Sequence, residues 1–139
     1  MVRAGTETRF VATVEGSRVL RVGDRAGRTL PAHLSSGGRA LLATLPPADL
    51  DDLYRDSEID RRGLRSCLQR VRHDGYAVNR DETERGVSAV GMVVRGPDGS
   101  PVSAVSVSLP SVRFSTTHLP ELVDALGVAR RALEADLAE

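Results

Sequence analysis

Apolar and polar positions alternate along this chain with two different periods, and the changes of period mark out its elements. From Thr8 to Val14 the period is two: Phe10, Ala12 and Val14 would share one face, with Val11 and Thr13 on the other, which predicts a strand. Glu15-Gly16-Ser17 is a turn signal, and Val19, Leu20 and Val22 then predict a second strand and hence a hairpin. Asp24 to Thr29 is polar, contains Gly27 and reads as a loop. Ser35-Ser36-Gly37-Gly38 feeds Arg39-Ala40-Leu41-Leu42-Ala43, which predicts a helix with Ser35 or Ser36 as its N-cap. Pro46-Pro47 stops that helix, and Pro47 suits the first turn of another over Ala48 to Arg55.

The clearest helical period runs from Asp60 to His73. Leu64, Cys67, Leu68 and Val71 fall on one stripe, arginines cover the remainder, and Asp74-Gly75 supplies the stop. Tyr76-Ala77-Val78 is a short strand, followed by a polar connection from Asn79 to Arg85. Val87 to Val94 is nearly all apolar and reads as a central strand buried on both faces. Pro97-Asp98-Gly99-Ser100 is a strong turn, and Val102 to Leu109 returns as the antiparallel partner, ended by Pro110. Leu119, Leu122, Val123, Leu126, Ala129, Leu133 and Leu137 line one stripe of a long terminal helix. Strands interleaved with helices, and hairpin turns between strands, predict an α/β (α+β) fold with a mainly antiparallel sheet. No internal repeat or linker divides the chain, so residues 1–139 read as one domain.

Composition narrows the class. At 139 residues with 40% hydrophobic and 27% charged residues, the chain can enclose a core and is neither disordered nor fibrous. No apolar run is long enough for a membrane helix, and no signal peptide follows Met1. The single cysteine, Cys67, excludes an internal disulfide framework and points to a reducing cytoplasm. Nineteen basic residues, all arginine, balance nineteen acidic ones, so the electrostatic footprint of a stand-alone nucleic-acid binder is missing. Phe10, Phe114, Tyr54 and Tyr76 are too few for a base-stacking platform.

Two segments have the chemistry to hold a ligand. The start of the Ser36-Gly37 helix offers free amides and the positive end of a helix dipole to an anion; the bland alternative is a tightly packed, well-capped helix. The Val102 to Leu109 strand sends Val105, Val107 and Leu109 to one face and Ala104, Ser106 and Ser108 to the other. Small hydroxyl side chains leave volume and both donate and accept, so that face is either wet or the floor of a cavity. Asn79 stands at a strand end and is a weaker candidate. His33, His73 and His118 have no metal-ligand spacing, and no cofactor motif is present. His33 near Ser35 and Ser36 admits Ser–His chemistry, but without a nucleophile elbow it reads as a structural histidine. Cys67, on an apolar stripe, reads as an inert buried thiol.

Taken together, these residues resemble a known family. Leu30-Pro31-Ala32-His33-Leu34-Ser35-Ser36-Gly37-Gly38-Arg39-Ala40-Leu41-Leu42-Ala43 looks like the "PAH…GKALLA" segment of the effector-binding domain of IclR-type bacterial transcription regulators. Val14-Glu15-Gly16 and Leu20-Arg21-Val22-Gly23 resemble the segment before it. Leu68, Val71-Arg72 and Asp74-Gly75-Tyr76-Ala77-Val78-Asn79, then Glu82 to Val90, then Val105 to Pro110 with Arg113-Phe114, are similar to later family segments in the same order. The resemblance implies a GAF-like domain: a curved, mainly antiparallel sheet flanked by helices, with a pocket for a small organic acid or aromatic metabolite. Its pocket positions would be Ser36 and Gly37 at the helix start, Asn79, Val87 and Ala89, and Ser106 and Ser108. The amides and hydroxyls would hold a carboxylate; Val87 and Ala89 would set the pocket's size. Departures are Arg39 where the family has lysine, the Met92-Val93-Val94 segment where it often has Pro-Val, and the small Ala89.

The resemblance further implies a homodimer or tetramer, with DNA read only through an N-terminal winged helix-turn-helix. Met1 stands close to the first strands, which predicts an excised regulatory domain rather than a naturally short protein. The expected role is therefore a metabolite sensor without catalysis. The rivals are a small enzyme acting on the same kind of acid, which would need an activated nucleophile or acid–base pair, and a dimerisation module that binds no ligand.

Overall fold

The apolar run at Val87 to Val94 and the alternating segment that follows it build the centre of the fold. The computed structural model describes residues 1–139. Strands β1 (Val2–Ala4), β2 (Glu7–Arg9) and β3 (Thr29–Pro31) form one small antiparallel sheet. Helices α1 (Ser36–Leu42), α2 (Pro47–Leu53) and α3 (Arg61–Asp74) follow. A second antiparallel sheet comprises β4 (Ala77–Arg80), β5 (Val87–Arg95) and β6 (Pro101–Pro110), with β5 central, and helix α4 (Leu119–Leu137) ends the chain. The Met1 and Ala104 backbones exchange two hydrogen bonds of 2.8 Å each, so β1 adjoins β6 and the two sheets follow one another as a curved surface. The expected single sheet is thus two short ones joined at their edges.

Register decides which side chains share a face. Ala89 pairs with Asn79 on β4 and with Ser108 on β6; Gly91 pairs with Ala77 and with Ser106. These residues lie on the face that α1 covers. The opposite face carries Val90, Met92, Val105 and Val107, which pack with Leu126, Leu119 and Val123 of α4. Behind α1, Leu42, Ala43, Leu50, Tyr54, Leu64, Leu68 and Val71 form the core between the first three helices. On α3, Asp60 caps the first turn by accepting the Gly63 amide, and Gly75 ends the helix at φ 83°, a left-handed conformation that glycine adopts without strain. Cys67 is half-buried beside Leu64 and Leu68, not sealed as expected.

The expected N-terminal hairpin does not form. Residues 10–28 run irregularly, with Val14 97% and Val19 99% exposed. Their alternation is real, but no other element covers the apolar face, so a strand there would bury nothing. The strand pairing falls instead on Thr8, opposite Leu30. The terminal helix follows its predicted bounds, but its stripe is covered over only part of its length: Leu126 is buried, whereas Leu133 and Leu137 are 43% and 45% exposed.

Of the two candidate caps of α1, Ser35 is the one used. Its hydroxyl accepts the Gly38 amide at 3.0 Å and shares a 3.0 Å hydrogen bond with the buried Thr8 hydroxyl. The cap thereby ties α1 to β2. Ser35→Ala is expected to cost about 1–2 kcal/mol, because it leaves the Gly38 amide unpaired in the interior. The midpoint of urea unfolding measures this.

Candidate functional site

Ser36, Asn79, Val87, Ala89, Ser106 and Ser108 line one cavity between the start of α1 and the sheet. Period-two geometry places Ser106 and Ser108 side by side along β6, and cross-strand pairing sets Ala89 beside Ser108. Alanine at 89 and glycine at 91 keep the floor low, which lets α1 approach β5. Gly37 is the exception among the expected residues. It stands beside the cavity, not in its wall, with its α-carbon turned to the Met1 side chain and to Ala104. The Met1 thioether also takes a 3.6 Å contact from the Ser106 hydroxyl, and so roofs this end of the hollow.

Asn79 is 2% exposed, and its amide is largely committed to the chain. Its oxygen accepts the Glu82 amide at 2.9 Å, and its nitrogen donates to the Thr83 hydroxyl at 2.9 Å. It shapes the connection from Asp81 to Gly86 and retains one N–H for the cavity. That connection turns on Asp81, at φ 57°, whose carboxylate accepts from the Ser111 hydroxyl and the Gly86 amide, each at 2.7 Å. Those two donors, the hydroxyl first, hold the Asp81 pKa below the usual carboxylate range. Arg39 lies outside the cavity. Its guanidinium grips both Glu82 oxygens at 2.7 and 3.0 Å, and donates to the Val78 and His33 carbonyls, so it fastens α1 to β4 and to the connection beyond.

Phe10, Arg25, Leu30 and Thr83, none of them a candidate from the sequence, also line the cavity, together with Met1 and Ser35. Arg25 matters most. Its side chain is only 8% exposed, and its Nη2 lies 2.6 Å from a Glu84 oxygen. The two atoms are close without being aligned as a hydrogen bond, and the Arg25 Nε has no acceptor. Nothing in the local pattern sets Arg25 apart from its exposed neighbours; its burial depends on how residues 10–28 fold back, through the Arg25 amide on the Thr13 hydroxyl at 3.2 Å. The side chains around the hollow are packed closely, leaving about 10 Å³ that a water-sized molecule can reach. That is room for about one water molecule.

His33 belongs elsewhere. Its ring stands edge-on to Tyr54, with ring centres 6.0 Å apart, in an open groove that also includes Glu7, Asp52 and Ile59. Burial, then the nearby Arg39 charge, lowers its pKa and favours the neutral ring. The Ser35 hydroxyl is engaged by Gly38 and Thr8, and Ser36 lines the cavity under α1 while His33 lines this groove, so neither serine is paired with the histidine. No cluster of residues suited to a metal ion is present.

An antiparallel curved sheet with helices on both faces, and a hollow of mixed polar and apolar lining under the first of them, defines the class as a GAF-like α+β domain. More narrowly, the chain belongs to the IclR family of bacterial transcription regulators: the family model for the bacterial transcriptional regulator IclR C-terminal region matches residues 1–135. The HTH-type transcriptional regulator Rv1719 of Mycobacterium tuberculosis is 40% identical over 103 residues, covering 68% of this chain and 39% of that protein. The HTH-type transcriptional regulator XynR of Escherichia coli is 29% identical over 138 residues, covering 93% of this chain and 55% of that protein. The crystal structure of a putative transcriptional regulator from Rhodococcus superposes with a TM-score of 0.91 at 35% identity, over 99% of this chain and 60% of that one. The chain therefore spans from about two-fifths to three-fifths of these relatives. All three carry the names of transcriptional regulators. No helix is long and apolar enough to cross a membrane.

Proposed function

We propose that this domain senses a small carboxylic acid, aliphatic or aromatic, in the cavity under α1, and so controls DNA binding by an attached domain. The observation that carries the reading is the convergence of Ser36, Asn79, Ser106 and Ser108 with the apolar Val87 and Ala89 on one hollow. Hydroxyls and amides on two walls suit a carboxylate; the apolar floor suits a short carbon body. Gly37 flanks the site and permits the approach of the Met1 side chain, which must withdraw for a ligand to enter. Methionine is flexible enough to do so at small cost. A closed state and an opened, occupied one give the differential affinity that regulation requires. The working assembly is a homodimer or tetramer in the cytoplasm, with DNA contacted only through the other domain. No cofactor has a role in it.

A thermal-shift screen of aliphatic and aromatic acids tests this. A binding acid at about 100 times its Kd is expected to stabilise the fold by about 2.7 kcal/mol. Ser106→Leu fills the hollow from the β6 side and is expected to abolish that shift with the far-ultraviolet circular dichroism unchanged. A full shift retained in Ser106→Leu would move the site elsewhere.

A further inference from the structure

We propose that Arg25 is the anchor for the ligand's carboxylate, and that Glu84 is the stand-in anion that occupies the anchor until a ligand arrives. The inference rests on the sensing role just proposed, and names the group that selects an acid.

Arginine keeps its charge at every accessible pH, and a buried cation without an anion is strongly unfavourable. Arg25 is buried against the cavity that holds Ser36, Asn79, Ser106 and Ser108. Its only counter-ion is Glu84, at 2.6 Å. That pairing is incomplete on both sides: the Glu84 oxygen is not aligned with an N–H of the guanidinium, and the Arg25 Nε donates to nothing. A guanidinium presents parallel donors matched to the two oxygens of a carboxylate. A free acid in the cavity can adopt the geometry that Glu84, tethered to its backbone, does not reach.

The two partners also differ in freedom. The Glu84 side chain is 41% exposed, so it can turn into water and remain solvated; the Arg25 side chain, at 8%, stays in place. Loading the site then exchanges one anion for another, and the charge of the hollow is unchanged. A neutral amide of the same shape cannot make the exchange, because it would leave Arg25 without a counter-ion. Glu84 is also joined to the floor: its carbonyl accepts the Val87 amide at 3.2 Å, and the Val87 carbonyl accepts the Asp81 amide at 3.0 Å.

Titration calorimetry of monocarboxylic acids from acetate to benzoate, and of their amides from acetamide to benzamide, tests the assignment on the full chain and its variants. An acid is expected to bind and its amide not to. Arg25→Gln should weaken the acid by about 10- to 100-fold, and Arg25→Lys, which keeps the charge but not the fork, by about 10-fold. Glu84→Gln, which removes the competitor, should tighten the acid by about 10-fold or more. If both Arg25 variants bind the acid as tightly as the parent, the anchor is overturned while the sensing role stands. If Glu84→Gln leaves the affinity unchanged, the stand-in role is overturned. If no acid binds either the parent or Glu84→Gln, the carboxylate reading of the cavity falls as well. Should Arg25→Gln fail to fold, Arg25→Lys and Glu84→Gln decide the matter.

Discussion

Valine in place of Gly91 is expected to destabilise the domain by about 3 kcal/mol or more, and to remove the response to any acid that the parent binds. An added β-carbon at Gly91 would lie 2.6 Å from the Ser36 carbonyl carbon, 2.7 Å from the Gly37 nitrogen and 2.8 Å from the Ser36 oxygen. All of these are backbone atoms, so no side chain can turn aside to make room. The strand cannot retreat either, since Gly91 is held between Ala77 and Ser106 in the middle of the sheet. Relief requires α1 to lift off β5, which carries Ser36 away from Ser106 and opens the hollow. Urea unfolding gives the stability; the thermal shift with a binding acid gives the function. A Gly91→Val protein of near-parent stability would mean that α1 is not held against the strand in solution.

Much of this contact was legible from residue types, and the reasons differ along the chain. β6 and α3 have strong periods and each is covered along a face, and β5 is an apolar run covered on both faces, so pattern and burial agree. The serine face of β6 was readable because alternation fixes which residues share a side. The resemblance placed Ser36, Asn79, Val87 and Ala89 around the same point, and the structure brings them together. Residues 10–28 were misread because alternation records only the capacity to form a strand; whether a second surface exists to bury that strand is a tertiary fact. Arg25 was invisible for the same reason. An arginine in a glycine-containing polar loop is normally solvated, and its burial comes from residues distant in sequence. The helical stripe of α4 extends beyond the sheet that covers it, so Leu133 and Leu137 fit the pattern without being core.

Leu42→Ala is expected to cost about 2–5 kcal/mol, comparable to Gly91→Val, yet to leave acid binding largely in place. Leu42 is completely buried on the side of α1 that faces α2 and α3, within the cluster that contains Leu50, Tyr54, Leu64 and Leu68. Truncation removes apolar contacts and leaves a void that short helices fill only in part. The void lies behind α1, whereas the cavity lies in front of it. Nothing pushes the helix off β5, and the Ser35 cap and the grip of Arg39 on Glu82 still hold its ends. The two substitutions thus separate stability from site geometry. Overfilling beneath α1 should destroy both, while a hole above it should lower the unfolding free energy and leave the affinity of the folded fraction within a few-fold of the parent. Leu42→Met, which conserves volume, should cost less than about 1.5 kcal/mol. Loss of acid binding in Leu42→Ala at temperatures where the domain is fully folded would place the position of α1 under the control of the helical core, not of the sheet beneath it.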